Sequence, residues 1–239
     1  MIDFNIEKIA PFCSAFGVTL DNEAKEKLNL YGNLLLQWNE KINLTAITEP
    51  EEVLYKHFYD CILFLKHCQI EENGSLIDVG TGAGFPGMVL KIVRPDLKIT
   101  LLDSLNKRLI FLNDVIEKLG LDGIKTVHLR AEQAGKDPLY REKYDVATAR
   151  AVASLPVLLE YCTPLVKKGG SFVAMKGPSV NEEASLCGKA EQILGLSKPK
   201  IICETLTGTE QRAFVLYKKI SQTPPKYPRK SPDISKQPL

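Results

Sequence analysis

The chain has little of what marks a secreted, membrane-bound or metal-stapled protein. Its six cysteines, Cys13, Cys61, Cys68, Cys162, Cys187 and Cys203, are scattered, and no two stand at the C-x-x-C spacing of a zinc or redox site. Reduced thiols and no metal site are expected. The start, MIDFNIEKIA, is acidic and has no long apolar region, so no signal peptide is expected. No apolar run approaches the ~20 residues that a membrane span needs. Together these features predict a cytoplasmic protein with no membrane partner. A strong charge of one sign is missing too. The formal net charge is +2 over 239 residues, so bulk composition does not announce a nucleic-acid partner. There is no internal repeat. What is present is ordinary globular composition, 44% hydrophobic and 25% charged, in a chain long enough to bury a sizeable core.

Three segments are expected. Residues 1–72 read as helical. From Glu23 to Asn39, Leu28, Tyr31, Leu34, Leu35 and Trp38 recur at helical spacing, with Asp21 or Asn22 as candidate cap. Thr48 opens Thr-Glu-Pro-Glu-Glu, which reads as a cap, a first-turn proline and acids at the positive end of a helix dipole. The next helix carries Val53, Leu54, His57, Phe58, Cys61, Ile62 and Leu65 on or near one face. Over 73–219, short apolar runs alternate with helical stretches. Strand candidates are Ser75–Val79, Ile99–Asp103, Thr126–Leu129, Tyr144–Thr148, Ser171–Met175, Lys200–Glu204 and Arg212–Lys218. Helices are expected from near Pro86, Lys107, Leu155 and Val180. This predicts an α/β fold, a mostly parallel sheet covered on both faces. The last two strands, joined by Leu206-Thr207-Gly208-Thr209-Glu210, are expected to pair as an antiparallel hairpin near the sheet edge. Residues 220–239 form a tail with prolines at 224, 225, 228, 232 and 238 and few apolar residues. It is expected to be extended or disordered when free. From Lys218 to Leu239, six basic residues stand against Asp233, 6 − 1 = +5, so the remainder is net acidic.

One stretch carries chemistry: Leu76-Ile77-Asp78-Val79-Gly80-Thr81-Gly82-Ala83-Gly84-Phe85-Pro86-Gly87. Glycines after a strand and before a helix allow positive φ and close approach of a ligand to the backbone. The helix start is expected to turn free N–H groups toward that ligand. A dinucleotide fingerprint needs glycine at the sixth place of G-x-G-x-x-G, and Phe85 stands there. The spacing D-x-G-x-G-x-G instead resembles the first motif of Rossmann-like S-adenosylmethionine-dependent methyltransferases. That cofactor has an ammonium and no pyrophosphate, and Asp78 is the candidate to hold the ammonium, directly or through water. Asp103 ends the next strand, 23 residues after Gly80, at about the distance where an acid binds the ribose hydroxyls of an adenosyl group. Ala131-Glu132 lies just past the third strand, where such folds place adenine contacts.

Methyl transfer from a sulfonium is a one-step displacement that needs alignment, and a base only if the acceptor must lose a proton. After the fourth strand the sequence reads Asp145-Val146-Ala147-Thr148-Ala149-Arg150-Ala151-Val152-Ala153-Ser154-Leu155. The N-P-P-Y type motif of many amino-directed nucleic-acid methyltransferases is absent. So is a Pro-Cys setting for covalent attack on cytosine. An acceptor that is already nucleophilic, such as a ring nitrogen, remains. Arg150 is a candidate to position it or to contact the cofactor.

Several motifs in order carry a resemblance: Leu35-x-x-Trp38-Asn39-x-x-x-Asn43-Leu44-Thr45-Ala46-Ile47, His57-x-x-Asp60, Asp78–Gly87, Leu102-Asp103-Ser104-x-x-Lys107-Arg108, Arg150-Ala151 and Lys176-Gly177. This set resembles the bacterial 16S ribosomal RNA guanine-N7 methyltransferase family, also known as the glucose-inhibited division protein B family, from about Tyr31 to Tyr227-Pro228-Arg229-Lys230. The resemblance implies a class I methyltransferase fold, with a seven-stranded Rossmann-like sheet of order 3-2-1-4-5-7-6 and the last strand antiparallel. It implies S-adenosylmethionine as cofactor and a guanine in the decoding region of 16S rRNA, naked or in the small subunit, as substrate. The implied cofactor positions fall on Gly80, Phe85, Ala131, Glu132 and Arg150, with Asp103, Ser104 and Leu105 beside them. Asp78, Gly82 and Gly84 complete the cofactor set. Arg150 and Lys176 are the candidate positioning residues for catalysis.

RNA binding needs phosphate contacts from Lys and Arg. The candidates are Lys107, Arg108, Arg130, Lys176, Arg212, Arg229 and Lys230. Arg212 starts the last strand, so its end of the sheet stays open. His57 and Asp60, one helical turn apart, read as a core or capping pair, and Trp38 reads as core. A monomer is expected. Two other readings stay open on the residues alone: a methyltransferase for a small molecule or protein, and an RNA-binding module that kept the fold and lost catalysis.

Overall fold

Strand-forming runs separated by helix signals, from Ser75 onward, build one seven-stranded sheet. The computed structural model describes residues 1–206, 208 and 210–239. The strands are β1 (Ser75–Val79), β2 (Lys98–Asp103), β3 (Ile124–His128), β4 (Tyr144–Arg150), β5 (Val166–Lys176), β6 (Lys200–Thr205) and β7 (Gln211–Lys218). Their order is β3-β2-β1-β4-β5-β7-β6. The pairs among β1 to β5 are parallel, and β7 runs antiparallel to both β5 and β6. Order and reversed strand are as expected. The predicted hairpin forms between β6 and β7; Thr207 and Thr209 of its connection lie outside the described residues.

The reversal of β7 decides where Arg212 lies. Ala213 pairs with Lys176 at the end of β5. Arg212 therefore sits at the edge of the sheet where β1, β2, β4 and β5 end.

Helices cover both faces: α1 (Asn22–Asn39), α2 (Gly87–Val93), α3 (Asn106–Lys118), α4 (Ala131–Ala134), α5 (Leu155–Cys162), α6 (Val180–Ser185), α7 (Gly188–Leu194) and α8 (Ser231–Lys236). Side chains alternate along β1. Leu76 joins a core formed with the N-terminal segment, α2 and α3; Ile77 and Val79 join a second core under α5 and α7. In α1, Asp21 is the cap, accepting the Ala24 N–H at 2.8 Å. Leu28, Tyr31 and Leu35 are buried as the spacing predicts. Trp38 is half-buried; its indole N–H donates to Asp114 at 2.8 Å and its ring leans on Phe111.

Two local expectations differ from the structure. The cap position before Pro50 is Glu49 rather than Thr48, and no side chain caps there. The helix that follows widens into a π-helical stretch, Leu54–Tyr59, which carries His57 at its centre. The tail also differs. It packs on the α5 side of the sheet with Thr223, Tyr227 and Ile234 buried, and it folds into α8. Composition gave no such signal because the tail's partners, Arg141 and Glu160, lie far away in sequence.

Candidate active site

Two clefts lie side by side at the carboxyl edge of the sheet, and Ala151, just past β4, lines both. Ala151 has φ +57°, a conformation unusual for a residue with a Cβ. Functional sites of open α/β sheets occupy this edge.

The first cleft, about 370 Å³, opens between the ends of β1, β2 and β3 and the start of α4. Val79, Leu102, Leu129 and Ala131 give it apolar walls, and Asp103 and Glu132 give it carboxylates. Gly80 forms part of it with φ +70°; a Cβ there would stand 2.6 Å from Val152 Cγ2. Gly84, at φ +99°, is packed so closely that a Cβ would meet Leu112, Met88 and the Tyr31 hydroxyl within 2.9 Å. Tyr31 donates to the Ala83 carbonyl, which ties the loop to α1. Asp103 accepts from the Gly82 N–H at 2.9 Å and the Leu105 N–H at 2.9 Å, and Arg108 pairs with it at 3.3 Å.

Asp78 turns its Oδ2 onto its own loop, and its Oδ1 has no hydrogen-bond partner among the described residues. It is fully buried, does not line the cleft, and accepts from Thr81 Oγ1 at 2.7 Å and the Gly87 N–H at 2.9 Å. The loop folds back over the end of β1, so the carboxylate braces it from beneath. Burial raises its pKa to about 6, against the hydrogen bonds from Thr81 and Gly87. The start of α2 is likewise committed: the Gly87 N–H goes to Asp78 and the Met88 N–H to the Gly84 carbonyl.

The second cleft, about 410 Å³, lies between the π-helical stretch, the ends of β4 and β5, and the start of β7. Its charged lining is Lys56, Asp60, Arg150, Lys176, Glu183 and Arg212, and Ile47 and Met175 add apolar wall. Arg150 is the hub. It donates to Asp60 Oδ2 at 2.8 Å, to the Lys56 carbonyl at 3.1 Å and to His57 Nδ1 at 3.1 Å. Its guanidinium carbon lies 4.9 Å from the centre of the Phe85 ring, and His57 stacks on the same ring at 4.3 Å. His57 Nδ1 stands 3.1 Å from Arg150, which only donates, and 3.1 Å from the Lys56 carbonyl, which only accepts, and Nε2 lies 2.9 Å from Thr45 Oγ1. Burial, and then the Arg150 charge, lower the His57 pKa to about 3. Burial also raises Asp60, opposed by Arg150 and Arg212. Lys176 pairs with Glu183 at 2.8 Å and donates to the Ala153 carbonyl at 3.0 Å; Arg212 pairs with Asp60 at 3.4 Å.

The predicted residues thus separate. Gly80, Asp103, Ser104, Ala131 and Glu132 line the first cleft, where Arg108 and Arg130, expected on RNA, join them. Gly82 and Leu105 hold Asp103 through their backbone N–H groups, and Gly84 packs against Leu112, Met88 and Tyr31. Arg150 lines the second cleft with Lys176 and Arg212, and Phe85 is buried beneath Arg150. Lys107 and Lys230 are exposed. Arg229 is drawn inward: it holds the buried Glu160 through two side-chain nitrogens and its backbone N–H, at 2.7–3.2 Å. His57 and Asp60 are both buried, and Arg150 joins them. Sequence reasoning missed Lys56, Glu183, Tyr161 and Ser231 as lining residues. Thr45 and Ile47 lie in a motif that was visible without a role: Asn39 accepts the Leu44 and Thr45 N–H groups and sets their turn.

Among solved structures, an S-adenosylmethionine-dependent methyltransferase from Aquifex aeolicus matches with TM-score 0.51 and 20% identity, over 70% of this chain and 93% of that one. Among curated proteins, the ribosomal RNA small subunit methyltransferase G of Acetivibrio thermocellus is 56% identical over 229 residues, 95% of this chain and 93% of the relative. The protein of the same name from Clostridium botulinum is 48% identical over 237 residues, 99% of this chain and 98% of the relative. The family model described as rRNA small subunit methyltransferase G matches residues 24–213. By both measures the chain belongs to the GidB family of rRNA small subunit methyltransferase G proteins.

Proposed function

We propose that this chain transfers a methyl group from S-adenosylmethionine to N7 of a guanine in the decoding region of 16S rRNA. Its substrate is the naked RNA or the small subunit, and it acts as a monomer in the cytoplasm. The observation that carries the reading is the pair of clefts meeting at Ala151, one fitted to an adenosyl group and the other rimmed with cations.

The first cleft fits the cofactor. Gly80 keeps open space that a Cβ and Val152 would fill. Asp103 offers the ribose hydroxyls a carboxylate already fixed by two backbone N–H groups, and Leu102, Leu129 and Ala131 offer apolar wall to a purine. Bound there, S-adenosylmethionine supplies an electrophilic methyl group on its sulfonium.

The second cleft suits an acceptor that has no proton to lose. Asp60 is held by Arg150 and Arg212, Glu183 by Lys176 and the Leu155 N–H, and His57 is buried between Arg150, the Lys56 carbonyl and Thr45. Among the described residues that line this cleft, both carboxylates are paired with cations and the imidazole is buried against Arg150. Guanine N7 already presents a lone pair, so these residues need only position the base. Lys56, Lys176 and Arg212 supply positive charge for the phosphates around it. No helix among the described residues is long and apolar enough to cross a membrane.

The test is transfer of labelled methyl from S-adenosylmethionine by the purified chain to 16S rRNA and to isolated small subunits, with the product nucleoside identified by mass spectrometry. N7-methylguanine is expected. Transfer to protein or to another atom of RNA would overturn the proposal.

A further inference from the structure

One wall of the first cleft is built by residues the mechanism above does not use. Tyr161, on α5, and Ser231, which opens α8, both line it. Their hydroxyl oxygens stand 2.6 Å apart, and either is able to donate. Tail and helix are clamped around this pair. Arg229, two residues before Ser231, grips Glu160, the residue before Tyr161, and the Glu160 side chain is 0% exposed. Upstream, Arg141 donates to the carbonyls of Thr223 and Tyr227, and Lys136 to that of Pro225. Downstream, Ile234 is fully buried. The family match ends at residue 213, so Ser231 comes from a part of the chain outside it.

We infer that Ser231 and Tyr161 form the base-recognising end of the cofactor cleft, which makes the C-terminal tail part of the cofactor site. This rests on the reading of that cleft as the S-adenosylmethionine site. In a pair of hydroxyls, one O–H points at the partner oxygen. The accepting hydroxyl keeps its own hydrogen to donate, and the donating hydroxyl keeps lone pairs to accept. The pair therefore offers a ligand one donor and one acceptor side by side. The six-membered edge of adenine is complementary: a ring nitrogen that accepts next to an amino group that donates. The pair lies in the cleft with Leu129, Ala131 and Glu132, just past β3. It shares that cleft with Asp103, so a purine whose ribose Asp103 holds is within the same walls.

Calorimetry with S-adenosylhomocysteine, and with its counterpart lacking the purine 6-amino group, tests this on the full chain. Wild type, Ser231→Ala, Tyr161→Phe and the double variant are compared. Each single variant is expected to bind S-adenosylhomocysteine roughly three- to tenfold more weakly, the effect of one neutral hydrogen bond. Wild type is expected to prefer the amino-bearing ligand, and the double variant to lose that preference. A hydroxyl pair that only fastens the tail would lower thermal stability and leave the preference intact, and that result would overturn the inference. If wild type binds neither ligand, the reading of the cleft falls, and this one with it.

Discussion

Replacing Gly80 with alanine separates a turn from a binding loop. Two costs are readable at this position. Its φ of +70° is left-handed, which costs a residue with a Cβ about 1–2 kcal/mol. The new Cβ would also stand 2.6 Å from Val152 Cγ2. Val152 is 39% exposed, so it has room to yield and the added contact is cheap in stability. A loss of about 1–2 kcal/mol lowers the melting temperature of a chain this size by about 2–8 °C. Binding is affected differently, because Gly80 and Val152 both line the first cleft. The added methyl and the displaced valine take space from the ligand, and calorimetry should show S-adenosylmethionine bound at least about tenfold more weakly, or 1.4 kcal/mol. Gly120→Ala is the control. Its φ is +58°, a Cβ there meets nothing within 4 Å, and it lies outside the cleft. It should match the loss of stability and leave affinity unchanged. If Gly80→Ala melts like the control and binds like wild type, the loop is only a turn.

Other perturbations follow from the same contacts. Arg229→Ala leaves the carboxylate of the fully buried Glu160 without its partner, and chemical denaturation should show a loss of about 3–5 kcal/mol; Glu160→Gln in the same background should recover part of it. Arg150→Lys keeps the charge but cannot reach Asp60, His57 and the Lys56 carbonyl together. Single-turnover methyl transfer should slow at least tenfold while S-adenosylmethionine affinity, measured by calorimetry, stays within about twofold. In acid, Asp145 contributes a defined step. Burial opposes its charge, but the Lys167 ion pair and the Ser75 hydrogen bonds outweigh it and lower its pKa to about 2. A carboxyl lowered in the folded state stabilises above its unfolded value and loses that contribution as pH falls toward the folded one. Stability should therefore drop between about pH 4 and pH 2, with a shallower slope in Asp145→Asn.

The parts of the site that could be read in the sequence were local ones. Gly80 and Asp103 end adjacent strands, and a strand end is set by its own run of residues. The order of the sheet and the reversal of β7 came with the family resemblance. The second cleft was harder to read because its hub is long-range. Arg150 meets His57 and Asp60 across about 90 positions of sequence, and nothing near any of the three announces the meeting. The contacts of Asp78 were hidden for a local reason: a carboxylate at the end of a strand can face a ligand or turn back onto its own loop, and the choice depends on where Thr81 and Gly87 fold. Ser231 was out of reach for similar reasons. A proline-rich basic tail reads as solvated until Glu160, a buried charge on another element, is found to need Arg229.

The most direct measurement of the central claim is made in the organism itself. Small-subunit rRNA from cells with and without the gene is digested, and N7-methylguanine is mapped by mass spectrometry. The account predicts one N7-methylguanine in the decoding region that is present with the gene, absent without it, and not restored by Arg150→Lys at wild-type level. An unchanged set of N7-methylguanines in the deletion strain would contradict it.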